Sequence, residues 1–161
     1  TNLYGPGDNY DPDLSHVLPA LIRKFTYAMK YSKDSVTCWG SGVPKRDFLH
    51  VDDLANACVY LLEKWDPSNV NSPRDSNGKI LNHINIGSGE DISIKDLTLK
   101  ISSILGFKGE ILWDNSKPDG TFRKILDTSH LNSLGWKSKT SLDAGLKKTI
   151  SEFIDSYSDT L

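Results

Sequence analysis

Sulfur is scarce in this chain of 161 residues, which has two cysteines, Cys38 and Cys58, and one methionine, Met29. The cysteines stand among apolar neighbours and lack Cys-x-x-Cys spacing, so neither a zinc site nor a dithiol redox centre is expected. A chain of this length needs no disulfide framework, and both thiols are expected to be buried and reduced. A catalytic thiol would want a neighbour that lowers its pKa, and neither cysteine has a cation beside it. Charge of one sign is also missing. The net charge is −2, which argues against non-specific nucleic-acid binding or a polybasic membrane contact but leaves room for a local anion pocket. No apolar run approaches the roughly 18 residues of a membrane-crossing helix, and there is no internal repeat or low-complexity tract. A dinucleotide fingerprint is absent too. Gly87-Ser88-Gly89 lacks the third glycine and the distant acidic partner, so it reads as a turn. The lone methionine is internal and the chain opens on Thr1-Asn2-Leu3-Tyr4, which reads as a piece of something longer.

What is present is an alternation of strands and helices, hence an α/β class. Residues 1–4 read as the end of an extended segment, followed by the turn cluster Gly5-Pro6-Gly7-Asp8-Asn9. Val17, Leu18, Leu21, Ile22, Phe25 and Met29 make a helical stripe, and Pro19 requires that helix to begin near Ser15, a plausible N-cap. Ser35–Trp39 alternates as a strand, and Arg46–Val51 reads as a second strand running into a helix opened by Asp52-Asp53. Leu54, Ala55, Cys58, Leu61, Leu62 and Trp65 are expected on the inner face of that helix. Residues 66–82, rich in Asp, Asn, Ser, Pro and Gly, form a loop of variable length. His83–Ile86 reads as a short strand. Ser93-x-x-Asp96 is a capping box for a helix that Gly106 stops. Strands at Glu110–Trp113 and Ile125–Asp127, a short helix at Ser129–Leu134 and a last helix through Leu142, Leu146, Ile150 and Phe153 complete the chain.

Several stretches together carry a resemblance. They are Asn2-Leu3-Tyr4-Gly5-Pro6, Ser15-His16-Val17, Trp39-Gly40-Ser41-Gly42 with Arg46-x-Phe48, His50-Val51-Asp52-Asp53, Asn85-Ile86-Gly87, and Lys117-Pro118-Asp119-Gly120-Thr121-x-Arg123-Lys124. This skeleton resembles the C-terminal half of extended short-chain dehydrogenase/reductases acting on nucleotide sugars. Ser-His-Val, Trp-Gly-Ser-Gly and Lys-Pro-Asp-Gly-Thr narrow it to the GDP-L-fucose synthase branch, end to end. The resemblance implies that residues 1–161 are the substrate-binding lobe plus a few strands and helices of a Rossmann-like sheet. The N-terminal dinucleotide-binding domain is then absent from this chain.

That branch performs 3,5-epimerisation and NADPH-dependent 4-reduction of GDP-4-keto-6-deoxy-D-mannose. The resemblance implies that His16 is the catalytic acid, a role that suits an imidazole because it titrates near neutrality. Thr1, Asn2, Leu3 and His16 would border NADP(H), which the absent domain mainly binds. Lys24, Trp39, Arg46 and Asp119 would hold the GDP-sugar, with Lys124 a weaker member of the same pocket. The branch's catalytic cysteine, serine and Tyr-x-x-x-Lys lie upstream of this chain, so the isolated chain is expected to be inactive. No metal, nucleic acid or membrane is expected, and the parent enzyme would be a cytoplasmic homodimer. Read without the resemblance, His16 is a cap-region histidine, Trp39 a strand-edge aromatic, Arg46 a solvated charge and Asp119 turn chemistry. Tyr60-x-x-x-Lys64 matches the catalytic spacing only formally. His50, Asp52 and Asp53 read as helix-start chemistry and not as a metal site. Another nucleotide-sugar epimerase or dehydratase, or a non-catalytic sugar-nucleotide binding module, are the competing readings.

Overall fold

A computed structural model describes residues 1–157. The apolar stripe after the first loop folds as α1 (Val17–Lys30), which buries Leu18, Leu21, Ile22, Phe25 and Ala28. The stripe closes on Ala28, leaving Met29 exposed. The cap lies one residue later than expected. His16 is the extended residue before the helix, with no side-chain cap bond, and the Ser15 hydroxyl is buried without a partner. Pro19 therefore falls in the first turn, where its missing N–H has no intrahelical partner to lose.

Ser35–Trp39 forms β2, which pairs in parallel along its whole length with β6 (Glu110–Asp114). Between them in the chain lies α3 (Ile94–Leu105), capped as expected. The Asp96 N–H donates to Ser93 Oγ at 3.0 Å, and Gly106 ends the helix in the left-handed region at φ 76°. The C-terminal α5 (Leu142–Tyr157) lays Leu146, Ile150 and Phe153 against α1 and α3 to complete the main core.

The expected single strand at Arg46–Val51 is two strands in different sheets, and Val51 belongs to the helix. β3 (Lys45–Arg46) pairs with β5 (Ile92–Ser93) and β7 (Arg123–Lys124), whereas β4 (Phe48–His50) pairs in parallel with β1 (Asn2–Tyr4). Asp47 makes the switch, because its carbonyl is taken by Asn2 and its carboxylate by Ser88. α2 (Val51–Lys64) follows directly and encloses a second, smaller core with Leu49, Leu131 in α4 (Ser129–Ser133) and Trp136.

Three further expectations need correction. His83–Ile86 is not a strand: Ile84 and Ile86 pack on the second core, and the segment joins no ladder among the described residues. The strand expected at Ile125–Asp127 sits two residues earlier as β7, in the position where Arg46 and Lys45 supply backbone partners. On α2, Ala55, Cys58 and Leu62 face solvent while Asp53 and Ala57 are buried. The expectation of two buried thiols thus holds only for Cys38. Among the described residues no helix is long and apolar enough to cross a membrane.

Candidate substrate site

Trp39 ends β2, and Arg46 ends β3 a few residues later. Between them Gly40 and Gly42 adopt left-handed backbone at φ 75° and 74°, which turns the chain back on itself. The second half of the site comes from the turn after β6. Asp119 accepts from the Ser41 N–H at 2.9 Å and the Ser41 hydroxyl at 2.6 Å, clasping the 117–121 turn to the 40–43 loop. These two donors hold the Asp119 carboxyl below the ordinary aspartate range. A side chain at Gly40 would meet Asp119 Oδ1 at 2.4 Å, so glycine is what permits the clasp. Asp119, expected as a nucleotide acceptor, has a structural role here, with both of its oxygens taken by Ser41.

Arg46 is anchored the same way. Its Nη1 donates to the carbonyl of Thr121 at 2.6 Å and to that of Lys45 at 2.7 Å. Gly120 leaves room for the other guanidinium nitrogen, which lies 2.9 Å from where a Cβ would stand. Trp39, Arg46, Asp119 and Gly120, with Val17 and Pro118, line a cavity of about 190 Å³. Val17, which lines the cavity, directly follows the exposed His16 in the chain. Lys24 reaches the same place from α1, its ammonium 5.2 Å from the Trp39 ring centroid and donating to the Thr37 carbonyl at 3.1 Å. Lys124 is the register partner of Arg46 and lies exposed beside it.

Thr1, Asn2 and Leu3 are not in this cavity. They lead into and form β1, at whose C-terminal end Leu3, Tyr4, Gly5, Gly7, Asp8 and Val51 line a second crevice of about 140 Å³. The Thr1 hydroxyl and the Asn2 amide both donate to the Asp47 carbonyl at 2.9 Å. Asp47 itself is buried. Ser88 donates to its Oδ1 from backbone (3.1 Å) and hydroxyl (2.6 Å), while Oδ2 has no partner. Burial raises the pKa of Asp8 in the second crevice, and the Asn9 N–H and the charge of His16 oppose that rise. His16 is thus the chain neighbour of a residue lining the first cavity, and its charge acts on Asp8 in the second crevice.

Other candidates are occupied. Burial pushes the Cys38 thiol up, away from the thiolate. The Tyr60 hydroxyl donates to the Leu134 carbonyl at 2.5 Å, which ties α2 to α4. Asp53 accepts from the N–H groups of Lys139 and Thr140, and Asp52 accepts from the Lys148 ammonium at 2.7 Å. Sequence reasoning assigns no site role to Asp47, Ser41 or Lys117, although Ser41 and Lys117 stand inside the Trp-Gly-Ser-Gly and Lys-Pro-Asp-Gly-Thr motifs.

With this geometry in view, the comparisons decide the family. The sequence pattern of the "NAD dependent epimerase/dehydratase family" matches residues 1–87, more than half of the chain. The chain belongs to this family. Among curated members it is similar to GDP-L-fucose synthase 1 of Arabidopsis thaliana, at 48% identity over 92% of this chain and 42% of that protein. It is also similar to GDP-L-fucose synthase of Escherichia coli, at 44% identity over 96% of this chain and 47% of that protein. A solved structure of a GDP-L-fucose synthetase from Naegleria fowleri bound to NADP superposes with a TM-score of 0.82 at 26% identity, covering 98% of this chain and 46% of that one. The chain therefore spans less than half the length of the curated relatives it matches. As an epimerase/dehydratase family member it contains both the parallel pair β1–β4 and the separate cavity beyond it. Open α/β sheets bind ligands off the carboxyl ends of their strands, where the second crevice lies.

Proposed function

We propose that this chain is the substrate-binding part of a GDP-L-fucose synthase, converting GDP-4-keto-6-deoxy-D-mannose to GDP-L-fucose by 3,5-epimerisation and NADPH-dependent 4-reduction. The observation that carries the reading is the convergence of Trp39, Arg46 and Asp119 on one cavity, with Lys24 on the Trp39 ring. An indole two-thirds exposed beside a guanidinium and an ammonium suits a sugar nucleotide, offering a flat face for the ring system and positive charge for the diphosphate.

In this reading the 4-keto group acidifies the sugar's C3 and C5 protons. His16 returns a proton to the carbon on the face opposite the base. Its exposed imidazole, free of any cap bond, is available for that transfer. The base, the enolate-stabilising serine and tyrosine, and the dinucleotide fold belong to the upstream half of such an enzyme. NADPH, when bound, supplies hydride to C4. Of the residues here, Thr1, Asn2 and Leu3 would border it at the second crevice. The fit is that of an edge: β1 ends there with Leu3 exposed and Gly5 without a side chain. The reading includes a homodimeric, cytoplasmic parent enzyme.

Joined to the N-terminal half of a relative, the chain is expected to turn over the keto-sugar. His16→Gln is expected to abolish solvent-deuterium incorporation at C3 and C5 while GDP-sugar binding stays within about twofold. The chain alone is expected to oxidise no NADPH with that substrate. A preference for UDP- or dTDP-sugars over GDP-sugars would overturn the substrate assignment.

A further inference from the structure

Lys117 takes no part in the reaction proposed above, yet its ammonium lies 5.5 Å from the centroid of the same Trp39 ring that Lys24 approaches. The two lysines differ in how they are held. Lys24 is committed, because its ammonium already donates to the Thr37 carbonyl. The Lys117 ammonium makes no hydrogen bond or ion pair with any described residue, although its charge lowers the pKa of nearby Asp114. The Asp114 carboxylate instead accepts from the Ser116 N–H and hydroxyl.

The base of Lys117 is nevertheless fixed. Its N–H donates to the Asp114 carbonyl at 3.2 Å, Asp114 is the register partner of Trp39, and two residues further on Asp119 is clasped by Ser41. The turn thus holds a cation, unbonded among the described residues, over the Trp39 ring that lines the Arg46 cavity. A cation–π contact on an exposed ring is weaker than a charge-assisted hydrogen bond to phosphate, so the ammonium gains by leaving the ring for such an anion. Its departure also frees indole surface for a ligand.

We propose that Lys117 is a phosphate-binding residue of the nucleotide-sugar site, moving from the face of Trp39 onto a diphosphate oxygen when the cavity fills. This rests on the proposed sugar-nucleotide reading and adds a residue to it.

The test is calorimetric titration of the chain with GDP. Lys117→Gln is expected to weaken binding about tenfold and to flatten its dependence on salt, and Lys117→Arg to recover most of the loss. Arg46→Ala and Trp39→Ala serve as the check on the reading itself, with thermal melts reporting that each variant is folded. Loss of binding in those two with Lys117→Gln within twofold of the parent overturns the role of Lys117 alone. GDP binding that ignores Arg46 and Trp39, or none by the parent chain at millimolar GDP, overturns both.

Discussion

Two regions of this molecule are closed to different degrees. The body built on β2 and β6 has α1, α3 and α5 packed together, and Ile22, Phe25, Leu97, Ile101 and Phe153 are fully buried there. The layer built on β1 and β4 has α2 against it, but the far side of that helix carries Val51, Ala55, Val59 and Leu62 in the open. Those positions repeat at helical spacing and so form a continuous stripe. Parallel strands are ordinarily covered on both faces, and Leu62 stands 87% exposed. The difference teaches that the first region closes over its own apolar contacts, whereas the second leaves an apolar stripe of α2 uncovered. Under the proposed function, the neighbour of that stripe is the dinucleotide-binding half.

The largest expected effect tests the closed region. Phe25→Ala should cost about 3–5 kcal/mol in urea unfolding, whereas Leu62→Ala should stay within about 0.5 kcal/mol. A comparable cost for Leu62 would erase the contrast. At the seam between the regions, Gly145 of α5 faces Tyr4, and a Cβ there would stand 2.1 Å from the phenol oxygen. Tyr4 is buried, with its pKa raised to about 12 by that burial, so it has little room to yield. Gly145→Ala should cost about 1–3 kcal/mol by thermal or chemical melting.

A smaller effect is expected at Asp8, on the open side. Its folded-state pKa is raised, so the folded chain holds that proton more tightly than the unfolded one. The sign follows: the Asp8 contribution favours folding below the unfolded aspartate value and is withdrawn as pH rises through the raised folded value. Asp8→Asn should therefore remove this fall, measured as the difference between the two proteins' stability–pH curves over that window. Smallest of all is the clasp. Ser41→Ala should leave the melting temperature nearly unchanged, since the pair is open to solvent, while returning the Asp119 pKa towards the ordinary value in an NMR titration.

Much of the architecture is legible in the amino-acid order alone. Leu18, Leu21, Ile22 and Phe25 declare α1 by spacing, and Ser93, Asp96 and Gly106 mark both ends of α3. These signals are local, set by backbone hydrogen-bond geometry within a turn or two. Two of the failures share one cause. Arg46–Val51 reads as one strand until Asp47 is seen bonded to Asn2 and Ser88, residues about 40 positions away in either direction. His83–Ile86 alternates like a strand, but alternation does not supply the neighbour that a ladder requires. The site divides in the same way. Its residue types and their motifs are visible, including His16, Trp39 and Arg46, but the bond from Ser41 to Asp119 spans 78 residues and no local pattern announces it.

By itself, then, the sequence determined the α/β class, the main helices and both ends of α3, and it carries the motifs that point to a nucleotide-sugar binding lobe. The tertiary structure alone decided that Trp39, Arg46 and Asp119 share one cavity, that Thr1, Asn2 and Leu3 lie apart from it at β1, and that Lys117 joins Trp39. The reason is physical. Helices and turns are specified by contacts a few residues apart, while a cavity is the space left between segments that meet only when the core closes.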